Sequence, residues 1–141
     1  MGVRTEVVFK PLILGELDNP VFIIGSNPSR KSNSGTAWVG SKSARFLTNC
    51  LEGLENIYLS NVCQHQDMTP GRIQSGLKVL ENAVTKYRPR KIICLGNFAN
   101  FYVQGLSLKI DTVMLLHPSY IVRFKSNRRK SYRRKLRKEI V

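Results

Sequence analysis

Four short runs along the chain are apolar almost without interruption: VFIIG at 21–25, NIYLS at 56–60, KIICLG at 91–96 and TVMLL at 112–116. A strand with one wet face alternates and a strand covered on both faces does not, so these runs predict a sheet buried between layers. Between the second and third runs, Ile73, Leu77, Leu80, Val84 and Tyr87 recur at helical spacing until Pro89 closes the segment. That pattern predicts one amphipathic crossover helix. Shorter helices are predicted from Ser41 to Leu54, and from Asn97, read as an N-cap, to about Gln104 ahead of Gly105. The alternation of strand and helix predicts a single α/β domain, a three-layer sandwich around a central, mostly parallel four-stranded sheet. The lead-in VRTEVVFKPLILGELDNP at 3–20 reads as an edge strand or as a wrapped extension, and the pattern leaves both open.

The 141 residues, 42% of them hydrophobic, suffice for one core. Charge changes the picture, because 23 Lys and Arg stand against 9 Asp and Glu, a net charge of +14. So large a surplus repels itself unless a polyanion is near, which makes nucleic acid the expected partner. The surplus is uneven: residues 123–141 hold 10 basic and 1 acidic side chains. This separates a body at 1–124 from a basic C-terminal helix or tail at 125–141. In a helix, Arg129, Arg133 and Arg137 form one ribbon and Lys130, Arg134 and Lys138 a second beside it, and such a helix is expected to order against the body or on DNA. Cys50, Cys63 and Cys94 include no CxxC pair and leave an odd thiol, which excludes a disulfide framework and points to a reducing, cytoplasmic setting. The longest apolar runs fall far short of the ~20 residues that cross a bilayer, so no membrane segment is expected.

The polar clusters follow the C-terminal ends of the apolar runs, which is where open α/β sheets bind ligands. GSNPSRKSNSGTAWVG follows the first run, NVCQHQDMTPGR the second and HPSYIVRF the last. None of them is a P-loop or a dinucleotide fingerprint. In their order along the chain they resemble the uracil-DNA glycosylase superfamily. GSNPS resembles its first active-site motif, in the Gly-x-Asn-Pro form of the mismatch-specific branch, and SGTAWVG resembles the segment whose aromatic ring stacks on a flipped base. LSNVCQ resembles the strand end whose Asn reads uracil, ICLGNFA a motif of the bacterial and archaeal branches, and LLHPSYIVR the second active-site motif. The resemblance spans about residues 20–124. It implies DNA carrying uracil or a uracil-derived lesion as substrate, hydrolysis of the N-glycosidic bond, and Asn27, Trp38, Asn61 and His117 in one cleft, with Ser26 beside the base. It also implies an insertion loop at Ser119 to Phe124. Ser29 stands where many members have Gly or Tyr, and Trp38 where Phe is usual. The iron-sulfur branches need four cysteines, so no cofactor and no metal are implied.

The chemistry of the same residues can be reasoned directly. Breaking a deoxyuridine glycosidic bond passes through an oxocarbenium-like sugar and a uracil anion. His117 is suited to donate to uracil O2 as charge develops there. Asn61 can accept from N3–H and donate to O4, an amide pattern that separates uracil from cytosine. Trp38 offers a stacking face. Asn27 can orient a water but cannot take its proton, which favours slow or substrate-assisted hydrolysis. Ile121 or Phe124 could wedge into the base stack, with Ser119, Arg123 and Lys125 on flanking phosphates and Arg129, Arg133 and Arg137 extending the basic surface. Two rival readings use the same scaffold: an endonuclease or lyase nicking DNA at abasic sites, and a non-catalytic DNA- or protein-binding module.

Overall fold

The computed structural model describes residues 7–32 and 34–141, so positions 3–6 of the lead-in lie outside the described residues. The sheet is mixed and has five strands, in the order β1-β3-β2-β4-β5. Four of them correspond to the apolar runs: β2 (Val21–Gly25), β3 (Ile57–Asn61), β4 (Lys91–Leu95) and β5 (Thr112–Leu115). These pair in parallel. The fifth, β1 (Leu12–Leu14), lies antiparallel to β3 at the edge. It corrects the expected count of four and decides for the edge strand within the lead-in. Its three residues are too few to carry a period, so only pairing with β3 could identify it.

Alternate residues of the strands feed two cores, one on each face. Val21, Ile23, Ile57, Leu59, Ile93 and Leu95 pack under α1 (Lys42–Cys50), α4 (Pro118–Phe124) and α5 (Arg129–Ile140). Phe22, Ile24, Tyr58, Ile92 and Cys94 pack under α2 (Pro70–Tyr87) and α3 (Asn97–Gly105). Burial on both faces is why β2, β3 and β4 show no alternation, whereas β5, at the other edge of the sheet, leaves Met114 exposed. α2 starts as its sequence requires, with Thr69 capping, Pro70 in the first turn and Arg88 leaving in the left-handed region just ahead of Pro89. α1 ends earlier than expected, and its N-cap Ser41 accepts from the Ala44 amide. For α3 the cap is Gly96 rather than Asn97, which is already helical. Gly96 takes φ +94°, and a Cβ there would sit 3.4 Å from the Cβ of His117. The turn that ends β4 is therefore pressed against the loop that follows β5.

One C-terminal expectation changes. Ser119 to Phe124 is not an insertion loop but most of helix α4, with Pro118 at its first position and His117 as its cap. Ile121, 1% exposed, belongs to the core and cannot be a wedge, whereas Phe124 is 68% exposed. The basic segment is a helix ordered against the body. Tyr132, Leu136 and Ile140 on α5 are buried in the same core as α1, and the Tyr132 hydroxyl donates to Leu116 O at 2.6 Å. Lys91 holds Glu139 at 2.9 Å and Arg90 donates to the carbonyl of Ile140, fastening the helix end to β4. An apolar stripe spaced i, i+4, i+8 runs beside the ribbon of Arg129, Arg133 and Arg137, and burying it outweighs the like-charge repulsion along the helix.

Truncation after Phe124 should therefore abolish cooperative unfolding rather than leave a folded body, as circular dichroism would show. Leu136→Ala should lower the unfolding free energy in urea by about 2–5 kcal/mol, the usual cost of a leucine-sized cavity. A loss below about 1 kcal/mol would mean that α5 contributes little to the core.

Candidate active site

The loops after β2, β3 and β5 meet at one edge of the sheet and enclose a cavity of about 240 Å3. Asn27, Trp38, Asn61 and His117 all line it, together with Ser26, Ser119 and Arg123. Register places the first two loops side by side, because Gly25, the last residue of β2, pairs with Asn61, the last of β3. A side chain at Gly25 has no room: its Cβ would come within 2.5 Å of the Trp38 ring and 2.6 Å of Asn61 Oδ1. The missing methyl group lets the indole and the amide close over the strand end.

Trp38 adopts φ +60° and is buried, with Nε1 donating to Ser60 O at 3.0 Å and its ring 5.5 Å from that of His117. The indole is thus a fixed wall of the cavity. Asn61 is 3% exposed, and its Oδ1 is the buried side-chain oxygen left without a hydrogen-bond partner among the described residues. An orphaned buried acceptor costs about 1–3 kcal/mol, so its place at a cavity wall is the mark of a site waiting for a donor. Gln64 holds the backbone beneath it, Nε2 donating to Asn61 O at 2.7 Å.

His117 is set by the start of α4. Its Nδ1 accepts from the Ser119 amide at 3.1 Å and lies 2.8 Å from the Ser119 hydroxyl. A backbone N–H can only donate, so Nδ1 is the acceptor and the ring proton sits on Nε2. Burial lowers the His117 pKa from 6.5 to about 4. The imidazole is therefore a neutral donor at physiological pH.

Asn27 is held from both ends: Nδ2 donates to Gln66 O at 2.7 Å, and Oδ1 accepts from Ser26 Oγ at 3.2 Å. Gln66 in turn donates from Nε2 to Ser29 O at 2.9 Å and Ser32 O at 2.6 Å. It staples the loop after β2 to the loop after β3. Neither Gln66 nor Gln64 is among the residues the sequence points to, because a glutamine in a polar loop carries no spacing signal.

The remaining basic candidates divide. Arg123 lines the cavity and Lys125 caps the end of α4 beyond it. Arg133 donates to Asn49 O at 3.1 Å, and Arg137 to Cys50 O at 3.0 Å and Glu52 O at 2.9 Å. They close the carbonyl end of α1, where a cation is favoured. The Arg129 guanidinium lies over the Phe46 ring at 5.5 Å. α1 thus offers Arg129, Arg133 and Arg137 partners within the molecule. Cys50, Cys63 and Cys94 are buried free thiols, and burial pushes Cys94 up to about 12. Among the described residues, no helix is long and apolar enough to cross a membrane.

With this geometry in view, comparison with known proteins gives a consistent result. The sequence profile of the Uracil DNA glycosylase superfamily matches residues 13–141, and the chain belongs to that superfamily. The match runs through α5, further than the stretch 20–124 that carries the motifs. Among solved structures the chain is similar to wild-type Pedobacter heparinus SMUG2, with a TM-score of 0.65 and 16% identity over 84% of this chain and 73% of that one. At that identity the likeness is one of fold. No curated protein sequence matches the chain.

The lowered His117 pKa has a measurable consequence. Between pH 6.5 and about 4 an unfolded chain protonates this ring while the folded one does not, so the unfolded state binds the extra proton. The stability that the neutral ring permits is complete above pH 6.5 and falls as the pH drops toward 4. An NMR titration should find His117 still unprotonated at pH 5, and His117→Asn should flatten the acid side of the stability curve measured in urea. A ring that titrates near 6.5 in the folded protein would remove the basis for its role as a neutral donor.

Proposed function

We propose that the protein is a monofunctional uracil-DNA glycosylase that extrudes deoxyuridine or a uracil-derived lesion into the cavity and hydrolyses its N-glycosidic bond. The observation that carries this reading is the orphaned Oδ1 of Asn61 in the same cavity as the protonated Nε2 of His117. The first supplies an acceptor for uracil N3–H and its amide a donor for O4. The second supplies a donor for O2. Together they match the edge of uracil and leave cytosine, which lacks the N3–H, with a mismatched acceptor.

In this mechanism the C1′–N1 bond breaks toward an oxocarbenium-like sugar and a uracil anion. The His117 Nε2–H stabilises the negative charge on O2 without giving up its proton, since a ring that protonates only near pH 4 is a poor proton store but a good fixed dipole. Asn27 Oδ1 holds the water whose hydroxyl adds to C1′, and that water's remaining proton is carried off by the departing base. With an amide in place of a carboxylate, the water is positioned but not deprotonated in advance, which makes the enzyme slow. Trp38 limits the depth of the cavity. Phe124, exposed at the end of α4, is the wedge for the space left by the base, and Arg123 and Lys125 hold adjacent phosphates. The buried free thiols fit work in a reducing, cytoplasmic compartment.

One gel tests this. Labelled duplexes containing uracil, an abasic site or neither are incubated with protein and run with and without alkali. Breaks in the uracil duplex that need alkali are expected; breaks on abasic DNA without alkali would indicate nicking instead, and a shifted band with no breaks would indicate binding alone. His117→Ala should lower uracil release by ~10² to 10³ with little change in duplex affinity, because the donor matters most once O2 is charged. Asn61→Asp should weaken uracil selection and admit cytosine, as scored by release of each base from matched duplexes.

A further inference from the structure

β5 closes the sheet on the side away from β1 and is hydrogen-bonded to β4 alone. Ile92 N donates to Asp111 O and Gly96 N to Leu115 O. In a parallel ladder successive residues turn their amide groups to alternate sides, so Val113 and Leu115 bond β4 while Thr112 and Met114 present N–H and C=O outward. Among the described residues those outward groups have no hydrogen-bond partner. The next outward carbonyl, that of Leu116, accepts from the Tyr132 hydroxyl and closes the edge there. Beside the open stretch lies a cavity of about 190 Å3 walled by Leu115, Leu116, Ile121 and Tyr132, and the charged side chains that line it are Arg128 and Lys135. Neither forms an ion pair with a described residue, and Glu139, one turn along α5 from Lys135, is held by Lys91 at 2.9 Å. The cavity is distinct from the candidate active site, since Ser119 and Arg123 of α4 line that one and Ile121 lines this one.

We infer that this edge docks an extended acidic segment of a partner protein, which adds to β5 as a further strand, sets one large apolar side chain in the cavity and lays carboxylates against Arg128 and Lys135. An open edge is a template for another strand, and soluble proteins usually blunt it with charge, proline or a cover. β5 has none of these in its own sequence, TVML, and Met114 is 43% exposed. An apolar cavity of about 150 Å3 is large enough for a benzene ring, so this one has room for a Leu or Phe side chain. Charge then selects the partner. Two cations beside an apolar cavity favour a segment whose apolar anchor is flanked by Asp or Glu. Duplex DNA has neither a strand to pair with the free amides nor an apolar side chain for the cavity. A second copy of this chain is disfavoured by the same cations, because pairing β5 with β5 would set two basic α5 helices side by side. The inference goes beyond the glycosylase reading and does not depend on it.

The test uses the full chain and a fluorescent seven-residue peptide with Leu at its centre, Glu two residues to either side and Thr elsewhere, so that Leu and both Glu share one face of a strand. It should bind about tenfold tighter than the same peptide with Lys in place of Glu, and its binding should move the NMR amide signals of Thr112 and Met114. N-methylating alternate peptide nitrogens removes the donors on one side of the strand. One of the two alternating sets should weaken binding about tenfold and the other should leave it unchanged. Arg128→Glu/Lys135→Glu should reverse the preference toward the Lys peptide. Met114→Pro should abolish binding of both, since it deletes the outward N–H and spares the pairing with β4. All three side chains are exposed, so the variants should fold, and circular dichroism checks that they do. The inference is overturned if the peptide does not bind at millimolar concentration, if Glu and Lys versions bind alike, or if both methylated sets behave the same. A dimer in sedimentation that Met114→Pro dissolves would give the edge to a second copy instead. Competition between peptide and duplex DNA, with duplex affinity lost in Arg128→Glu/Lys135→Glu, would make this surface part of the DNA face and overturn it as well.

Discussion

The close approach at Gly25 is the constraint on which the rest of the site depends. β2 and β3 end side by side, and the space a Cβ would occupy is taken by the Trp38 ring and by Asn61 Oδ1. Only hydrogen at that position lets the indole lie against the strand end and His117 at once, and only then does Asn61 face a cavity instead of a neighbouring side chain. A second close approach serves the same edge from the opposite layer. Gly76 of α2 packs directly on the carbonyl of Val62, immediately after Asn61, where any side chain would overlap the backbone. Two glycines far apart in sequence thus hold one strand end rigid from both faces, and a rigid strand end is what a buried amide needs if it is to select among bases.

The polar part of the site is built from neutral groups. His117 is kept uncharged by burial and by its role as cap of α4, Asn27 and Asn61 are amides, and Gln66 and Gln64 hold the backbone around them. Charge sits at the rim, where Arg30 and Arg123 meet solvent. That separation suits a polyanionic ligand with a neutral base. Cations such as Arg123 draw in the backbone at long range, while the neutral side chains of Asn61 and His117 can distinguish one base edge from another by donors and acceptors alone. It also makes the distribution of basic residues less uniform in function than in sequence, because Arg133 and Arg137 neutralise a helix end inside the molecule.

The layered fold, the four parallel strands and the crossover helix were legible in the sequence, because burial on both faces and a 3.6-residue period are properties of consecutive residues. The polar segments at the strand ends were legible for the same reason, and their order along the chain carried the superfamily resemblance. What sequence could not settle was whatever depends on partners distant in the chain. β1 becomes a strand only through β3, and Ile121 leaves the set of wedges because α1 and α5 close over it. Arg133 and Arg137 are engaged because the carbonyls of α1 lie within reach. The tautomer of His117, the missing partner of Asn61 and the cavity they share exist only once the strand ends are brought together, since hydrogen-bond satisfaction and desolvation are set by neighbours in space and not by neighbours in sequence.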